Sequence, residues 1–197
     1  MAHNLREFLG EYQRGIEVCV LAEGADALLG VRDAFLRFFR DDLGKPLPVA
    51  VVPQERAIQR GSDLALSDES AIERARHAAR ELEERVEGLY HFYLAVEGCV
   101  HTLTIDGEAR HFTRSWAVIR GVAGESYGAS GSVQLPTRLV SGLSPEEVAA
   151  AVPRSKRASS LVASLTGGLE TQRIAVAECT LHALATQFHG VLDNHPR

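Results

Sequence analysis

Ser164-Leu-Thr-Gly-Gly-Leu-Glu-Thr-Gln-Arg173 sets two adjacent glycines, Gly167 and Gly168, ahead of an apolar stripe that runs to Phe188. Paired glycines let the backbone come close to a ligand, and the first N–H groups of a helix have no intrahelical partner. A glycine turn feeding directly into an amphipathic helix is therefore suited to an anion, phosphate above all. The other reading of the same residues is a tight strand-to-helix connection with no ligand. Upstream, Arg154-Ser-Lys156-Arg157 is a basic cluster that either folds over such an anion or stays in solvent. His91, His101 and His111 recur at regular spacing, but zinc sites carry tighter ligand spacing, so these read as half-buried histidines. Cys19, Cys99 and Cys179 are odd in number and far apart, which suits reduced, mostly buried thiols better than a disulfide or zinc framework. Cys99 would need a neighbouring base to act as a nucleophile; a packed thiol is the simpler role.

These residues must be positioned by regular elements. Ile16-Glu-Val-Cys-Val-Leu21 is a β-branched apolar run of the kind found in buried strands. After a turn at Glu23–Asp26, Leu28, Val31, Phe35 and Phe38 recur at helical steps up to about Arg40. Val49-Ala-Val-Val52 then reads as a second strand, and strand–helix–strand order implies a parallel pair. Ser67 is an N-cap for a long helix with Asp68 and Glu69 in its first turn, lined inside by Ile72, Ala75, Ala79, Leu82 and Val86. Tyr90–Val96 and Val100–Ile105 read as a third and a fourth strand, followed by the hairpin dipeptide Asp106-Gly107. Strands at about 109–120 and 126–133 continue an antiparallel part. Ser144-Pro-Glu-Glu147 is a capping box opening a short helix through Val152. The C-terminal helix carries Ile174, Ala177, Leu181, Leu184 and Phe188 as its apolar stripe.

The expected fold is α/β, with a mixed central sheet flanked by helices and two lobes around a cleft. At 197 residues, 45% hydrophobic and 24% charged, the chain has the size and composition of one ordinary soluble domain, residues 1–14 forming a polar lead-in. A net charge of −5 argues against general affinity for nucleic acid or anionic membranes. No apolar run approaches a membrane span and the N-terminus is not a secretory signal, so the expected location is cytoplasmic.

Several segments occur in an order that resembles the inosine/xanthosine triphosphatase family, a branch of the house-cleaning nucleotide hydrolases that includes the Maf-like and ITP pyrophosphatase proteins. Arg114-Ser-Trp-Ala-Val-Ile119 is similar to that family's Ser-Trp-x-Val-Ile strand. Gly128-Ala-Ser-Gly-Ser-Val-Gln-Leu-Pro136 is similar to its small-residue strand ending in Leu-Pro. Leu165–Thr171 looks like its Leu-Thr-Gly-Gly-Leu-x-Thr turn. Ser67-Asp-Glu, Ala75-Arg76 and Val96-Glu-Gly98 occupy matching places further upstream. The resemblance implies a homodimeric hydrolase of ITP and XTP that depends on Mg²⁺ or Mn²⁺. Such phosphoryl transfer needs a divalent metal on hard oxygen ligands, cations on the phosphates and a positioned water. Glu97 is then the expected metal ligand or water-orienting base, with Glu69 and Asp68 as further carboxylates. Thr166, Gly167 and Gly168 would contact the nucleotide, and Lys156, Arg157, Arg173 and Arg76 would offset its charge.

The sequence departs from that pattern on the positive side of the implied site. The family's first strand leads into a Ser/Thr-x-Asn-x-x-Lys loop, whereas this chain has Ala22-Glu-Gly-Ala-Asp-Ala27. The Arg that would follow Thr171 is Gln172, with Arg173 one place later on another helical face. The expectation is accordingly hydrolysis with altered or weakened activity. The alternative is a silent descendant of the fold that binds a nucleotide, another ligand or a protein partner.

Overall fold

Ile16–Leu21 forms β1, an interior strand of the sheet, because five of its six side chains are buried and only Glu17 reaches solvent. In the computed structural model, which describes residues 12, 15–22, 24–41, 43–54, 64–140, 144, 147 and 161–189, β1 leads into helix α1, Ala25–Phe38. The helix begins where a turn was expected, directly after Gly24. It returns the chain to β2, Val49–Pro53, which runs parallel to β1 in the register Ile16 to Val49. The parallel pair expected from strand–helix–strand order is present.

Helix α2, Asp68–Arg85, starts at the expected cap. Ser67 Oγ accepts from the Ser70 amide (3.1 Å) and the Ser67 amide donates to Ser70 Oγ (3.3 Å), so a serine performs the return half of the capping box. Its buried side is Ala71, Ala75, Ala78, Ala79 and Leu82, a row of small residues that lets the helix lie close to the sheet.

The next segment departs from expectation. Phe92–Ile105 is one 14-residue strand, β3, with no break at Glu97-Gly98-Cys99. Gly98 does not interrupt the strand; a Cβ there would stand 3.1 Å from Leu64 Cδ2, so the missing side chain leaves room for a neighbour. β3 runs parallel to β1 and antiparallel to β4, Glu108–Gly121, along its whole length. Asp106 and Gly107 close this hairpin with φ of 52° and 78°, the two positive values of a type I′ turn. β5, Gly124–Ala129, and the short β6, Val133–Gln134, both pair with β4. The sheet order is β2-β1-β3-β4-β5, with β6 beside β4. Past the end of β1, Ala65 takes its place against β3 through bonds to Gly98 O and from the Val100 amide.

Two short helices, α3 (Thr137–Val140) and α4 (Leu161–Leu165), precede the last, α5 (Gln172–Gln187). Ser144 and Glu147 exchange amide-to-side-chain bonds (2.7 and 3.2 Å) as the expected capping box does; the helix proposed beyond them lies outside the described residues. Helices α1 and α5 cover one face of the sheet around Val18, Val20, Phe35, Phe92, Leu94 and Leu184. Helix α2 covers the other around Cys19, Ala75, Leu82, Tyr93 and Val118. The arrangement is thus the expected mixed sheet between helices.

Of the stripe expected on α5, Ala177, Leu184 and Phe188 are buried, Leu181 is partly buried and Ile174 turns outward. Ile174 is half exposed, while Val176, Cys179, Thr180, Ala183 and Leu184 are buried. Small residues face inward because the backbones touch. A Cβ on Gly128 of β5 would lie 2.1 Å from Cys179 O, and one on Gly30 of α1 would lie 2.5 Å from Arg173 O. No helix among the described residues is long and apolar enough to cross a membrane.

Candidate functional site

Alternation along β3 places Tyr93, Ala95, Glu97, Cys99 and His101 on the α2 face. Across the hairpin Glu97 lies opposite Trp116, Cys99 opposite Arg114 and His101 opposite Phe112, so these partners share that face. The N-terminus of α2 delivers Asp68 onto them. Arg114 Nε donates to Asp68 Oδ1 (2.8 Å) and its Nη2 to Oδ2; Trp116 Nε1 (2.7 Å) and Cys99 Sγ (3.3 Å) donate to Oδ1 as well. The Arg114 guanidinium also lies 5.1 Å from the centre of the Trp116 ring.

Burial pushes the Asp68 carboxyl upward, but the donors on Arg114, Trp116 and Cys99 outweigh it and hold the group well below the usual carboxylate range. Burial, reinforced by the Asp68 carboxylate, pushes the Cys99 thiol up to about 12. Cys99 is therefore a packed S–H donor rather than a nucleophile. Burial lowers the pKa of His101 despite the opposite pull of Asp68, so this ring is neutral at pH 7. All three cysteines are buried and none forms a disulfide. His111 bonds through Nδ1 to Thr102 Oγ1 (2.9 Å) and sits on the face opposite His101, so strand pairing does not unite these two.

The structure brings Asp68 and Glu97 to one face, linked by Trp116, which pairs with Glu97 across the strands and bonds Asp68 through its indole. Glu69 follows Asp68 on the helix, about 100° round its axis, and is exposed. A magnesium-type ion takes hard oxygen ligands. Asp68 fits that role poorly, since the ligand atoms nearest to it are the Cys99 sulfur and a His101 ring nitrogen, a set that a magnesium-type ion does not select. Glu97 and Glu69 are the other two carboxylates expected from the sequence to hold such an ion.

The Thr166-Gly167-Gly168 turn lies elsewhere and is built otherwise than expected. It follows a helix, not a strand, and it caps that helix: the Gly168 amide donates to Ala163 O (2.8 Å), with Gly167 and Gly168 at φ of 64° and 85°. Thr166 Oγ1 donates to Val162 O (2.9 Å) and accepts from the Glu170 amide (3.0 Å). The cap of α5 is Thr171, whose side chain accepts from the Ile174 amide. Helix α4 packs through Leu165 against Val100, Leu135 and Val140, on the side of the hairpin away from Asp68. The start of α5 adjoins the β1–α1 turn, where a Cβ on Gly24 would stand 4.0 Å from Gln172 Oε1. The carboxylates and the glycine turn therefore share the end of the sheet beyond Leu21 but lie on opposite faces of it.

The expected phosphate cations are paired with acids. Arg173 makes a two-pronged contact to Asp33 of α1 (2.6 and 3.0 Å), and Arg76 bonds Glu125 (2.6 Å). Both arginines are nearly half exposed; Arg173 with Asp33 is a surface pair, whereas Glu125 is 14% exposed and also holds Arg120 and Tyr127. Lys156 and Arg157 lie outside the described residues. Arg114 and Trp116 were not singled out by the sequence as functional, and His101 was weighed as a zinc ligand and read instead as a half-buried histidine. Counting outward from Asp106-Gly107 would have set Cys99 against Arg114, but nothing local indicates that Asp68 docks on both.

No protein-family model and no curated protein sequence matches this chain. Among solved structures, protein VC0702 from Vibrio cholerae is similar to it with a TM-score of 0.63 and 16% sequence identity, covering 92% of this chain and 99% of that one. Likeness at that identity establishes the shared α/β fold.

Proposed function

We propose that this chain hydrolyses nucleoside triphosphates carrying deaminated purines, ITP and XTP, in a reaction dependent on Mg²⁺ or Mn²⁺ and weaker than a full set of phosphate cations would support. The observation that carries the reading is where Glu97 sits. The chain leaves β1 through α1 to one side and returns through α2 to the other, so the sheet changes direction between β1 and β3. Ligands of open α/β sheets bind outside the carboxyl ends of strands at such a point. Glu97 lies two residues past Ala95, the β3 partner of Leu21 at the end of β1.

Glu97 and Glu69 are the ligands that would hold the metal, which supplies charge neutralisation for the phosphates. Glu97 also has the position to orient water. The Arg114–Asp68–Trp116 cluster fixes the strand that carries it. The glycine turn and the start of α5 would approach the nucleotide from the other face. Arg173 and Arg76 reach phosphate only by leaving Asp33 and Glu125, and the Ala22–Ala27 turn adds acids instead of cations, which is why turnover should be weak. The same two features favour a second reading, a binding module of this fold without catalysis. Location in the cytoplasm and a homodimeric state belong to the proposal as the family's usual setting.

Turnover of ITP, XTP, GTP, ATP and dTTP with Mg²⁺ or Mn²⁺ tests the reading. Glu97→Gln should lower kcat for the preferred nucleotide by about 10²–10⁴-fold. If wild type and Glu97→Gln are equally idle while Mg²⁺ with ITP still raises the melting temperature, the binding module stands instead. No turnover and no thermal shift would remove both.

A further inference from the structure

We propose that Asp68, Cys99 and His101 form a site for a thiophilic divalent transition metal of the Zn²⁺ class, separate from the Glu97 and Glu69 carboxylates. One ligand atom from each of the three lies within 4.8 Å of the others. Asp68 Oδ1 is 3.3 Å from Cys99 Sγ and 4.0 Å from His101 Nδ1. Donors bound tetrahedrally to zinc stand about 3.3–3.8 Å apart, given its usual bond lengths to sulfur, nitrogen and oxygen. The group therefore closes on an ion by movements of under about an ångström. Sulfur, imidazole nitrogen and one carboxylate oxygen make a borderline-soft donor set, unlike the all-oxygen set that magnesium selects.

A second, independent observation points to a ligand. His101 is more than nine-tenths buried, and its Nδ1 has no hydrogen-bond partner among the described residues. Its ring is fixed by stacking on Phe112 (5.6 Å between centres), and Nδ1 is turned toward Asp68. A buried ring nitrogen left without a hydrogen-bond partner is a cost that a metal bond removes. Binding replaces the Cys99 S–H contact to Asp68 with a sulfur–metal bond, and the thiol proton leaves to solvent. The thiolate and carboxylate bring two negative charges, which offsets the nearby Arg114 guanidinium. Arg114 and Trp116 continue to donate to Asp68 and hold it in place, as outer partners of metal ligands do. Three protein ligands leave the fourth position of a tetrahedral ion to water.

The test is titration of metal-stripped protein with Zn²⁺ and with Co²⁺, whose thiolate charge-transfer absorption reports a sulfur ligand. One ion per chain is expected, with the cobalt–thiolate band absent in Cys99→Ser and kept in Cys19→Ala. Loss of an outer partner costs 10–100-fold in affinity, so His101→Gln, which removes a ligand at similar volume, should cost at least about a hundredfold. His101→Gln decides the question even if Cys99→Ser fails to fold. Absence of a thiolate band in wild type, a band that survives Cys99→Ser, or unchanged affinity in His101→Gln would each overturn the site.

Discussion

Asp68 joins three parts of the chain through one carboxylate: the cap of α2, Cys99 on β3, and Arg114 with Trp116 on β4. Its side chain is 23% exposed and that of Arg114 25%, so water screens the pair less than it would a surface pair. Hydrogen bonds to a charged group each contribute about 1.5–3 kcal/mol, and a domain of this size loses about 2–4 °C per kcal/mol. Asp68→Asn should therefore lower the melting temperature at pH 7 by roughly 3–12 °C. The folded state holds this carboxyl below its unfolded value of about 3.9, so it binds fewer protons than the unfolded chain as acid is added. The stabilisation is complete above that value and fades as pH falls beneath it. Melting curves of wild type and Asp68→Asn should accordingly begin to approach one another below about pH 4 and go on doing so as acid is added; a gap that stays constant with pH would show that charge is not the source. None of this was legible at the residue scale. Asp68 is an ordinary first-turn acid by its neighbours, and its partners come from strands far along the chain. The Thr-Gly-Gly turn was legible as a turn, yet its amides serve the helix before it.

At the scale of elements, the sequence indicated most strands and caps because their signals are local. The β-branched runs marked β1 and β2, Ser67 and Ser144 marked caps, and Asp106-Gly107 marked the hairpin. The unbroken course of β3 was hidden because Gly98 looks like punctuation, and only its neighbour Leu64 explains it. The outward turn of Ile174 on α5 was hidden for a similar reason. Hydrophobicity alone favours Ile174 as inward, but a helix in backbone contact with Gly128 and Gly30 must turn its small residues inward. Gly128→Ala tests this. A methyl 2.1 Å from Cys179 O and 2.4 Å from the Ala183 amide cannot be absorbed by a side-chain shift, so α5 has to move off β5. Overpacking of this kind costs about 1–3 kcal/mol. The shift should appear as a lower denaturant midpoint with unchanged slope. Alanine at Gly131, where the nearest atom is 3.6 Å away, should leave the midpoint within about 0.5 kcal/mol of wild type.

Across the whole molecule, the sheet divides into pairings that differ greatly in how much chain they enclose. β3 and β4 are joined by the two-residue turn at Asp106-Gly107, whereas β1 must find Val49 for Ile16 and Phe92 for Val18. Closing a long loop costs conformational entropy before any contact rewards it, and parallel pairs cannot avoid that cost. The β3–β4 hairpin is thus placed to assemble early, and β1 to add late beside β3, with β2 pairing only once β1 is in place. Conservative truncations such as Ile119→Val on β4 should then slow refolding, while Val18→Ala on β1 should mainly hasten unfolding. Stopped-flow chevrons of the two variants measure the difference directly, and equal effects on the refolding arm would mean that both strands enter the barrier together. A protein with this order of assembly meets its slowest step when β1 is still unpaired on both edges, which is when an exposed Ile-Glu-Val-Cys-Val-Leu segment is most open to pairing with another chain.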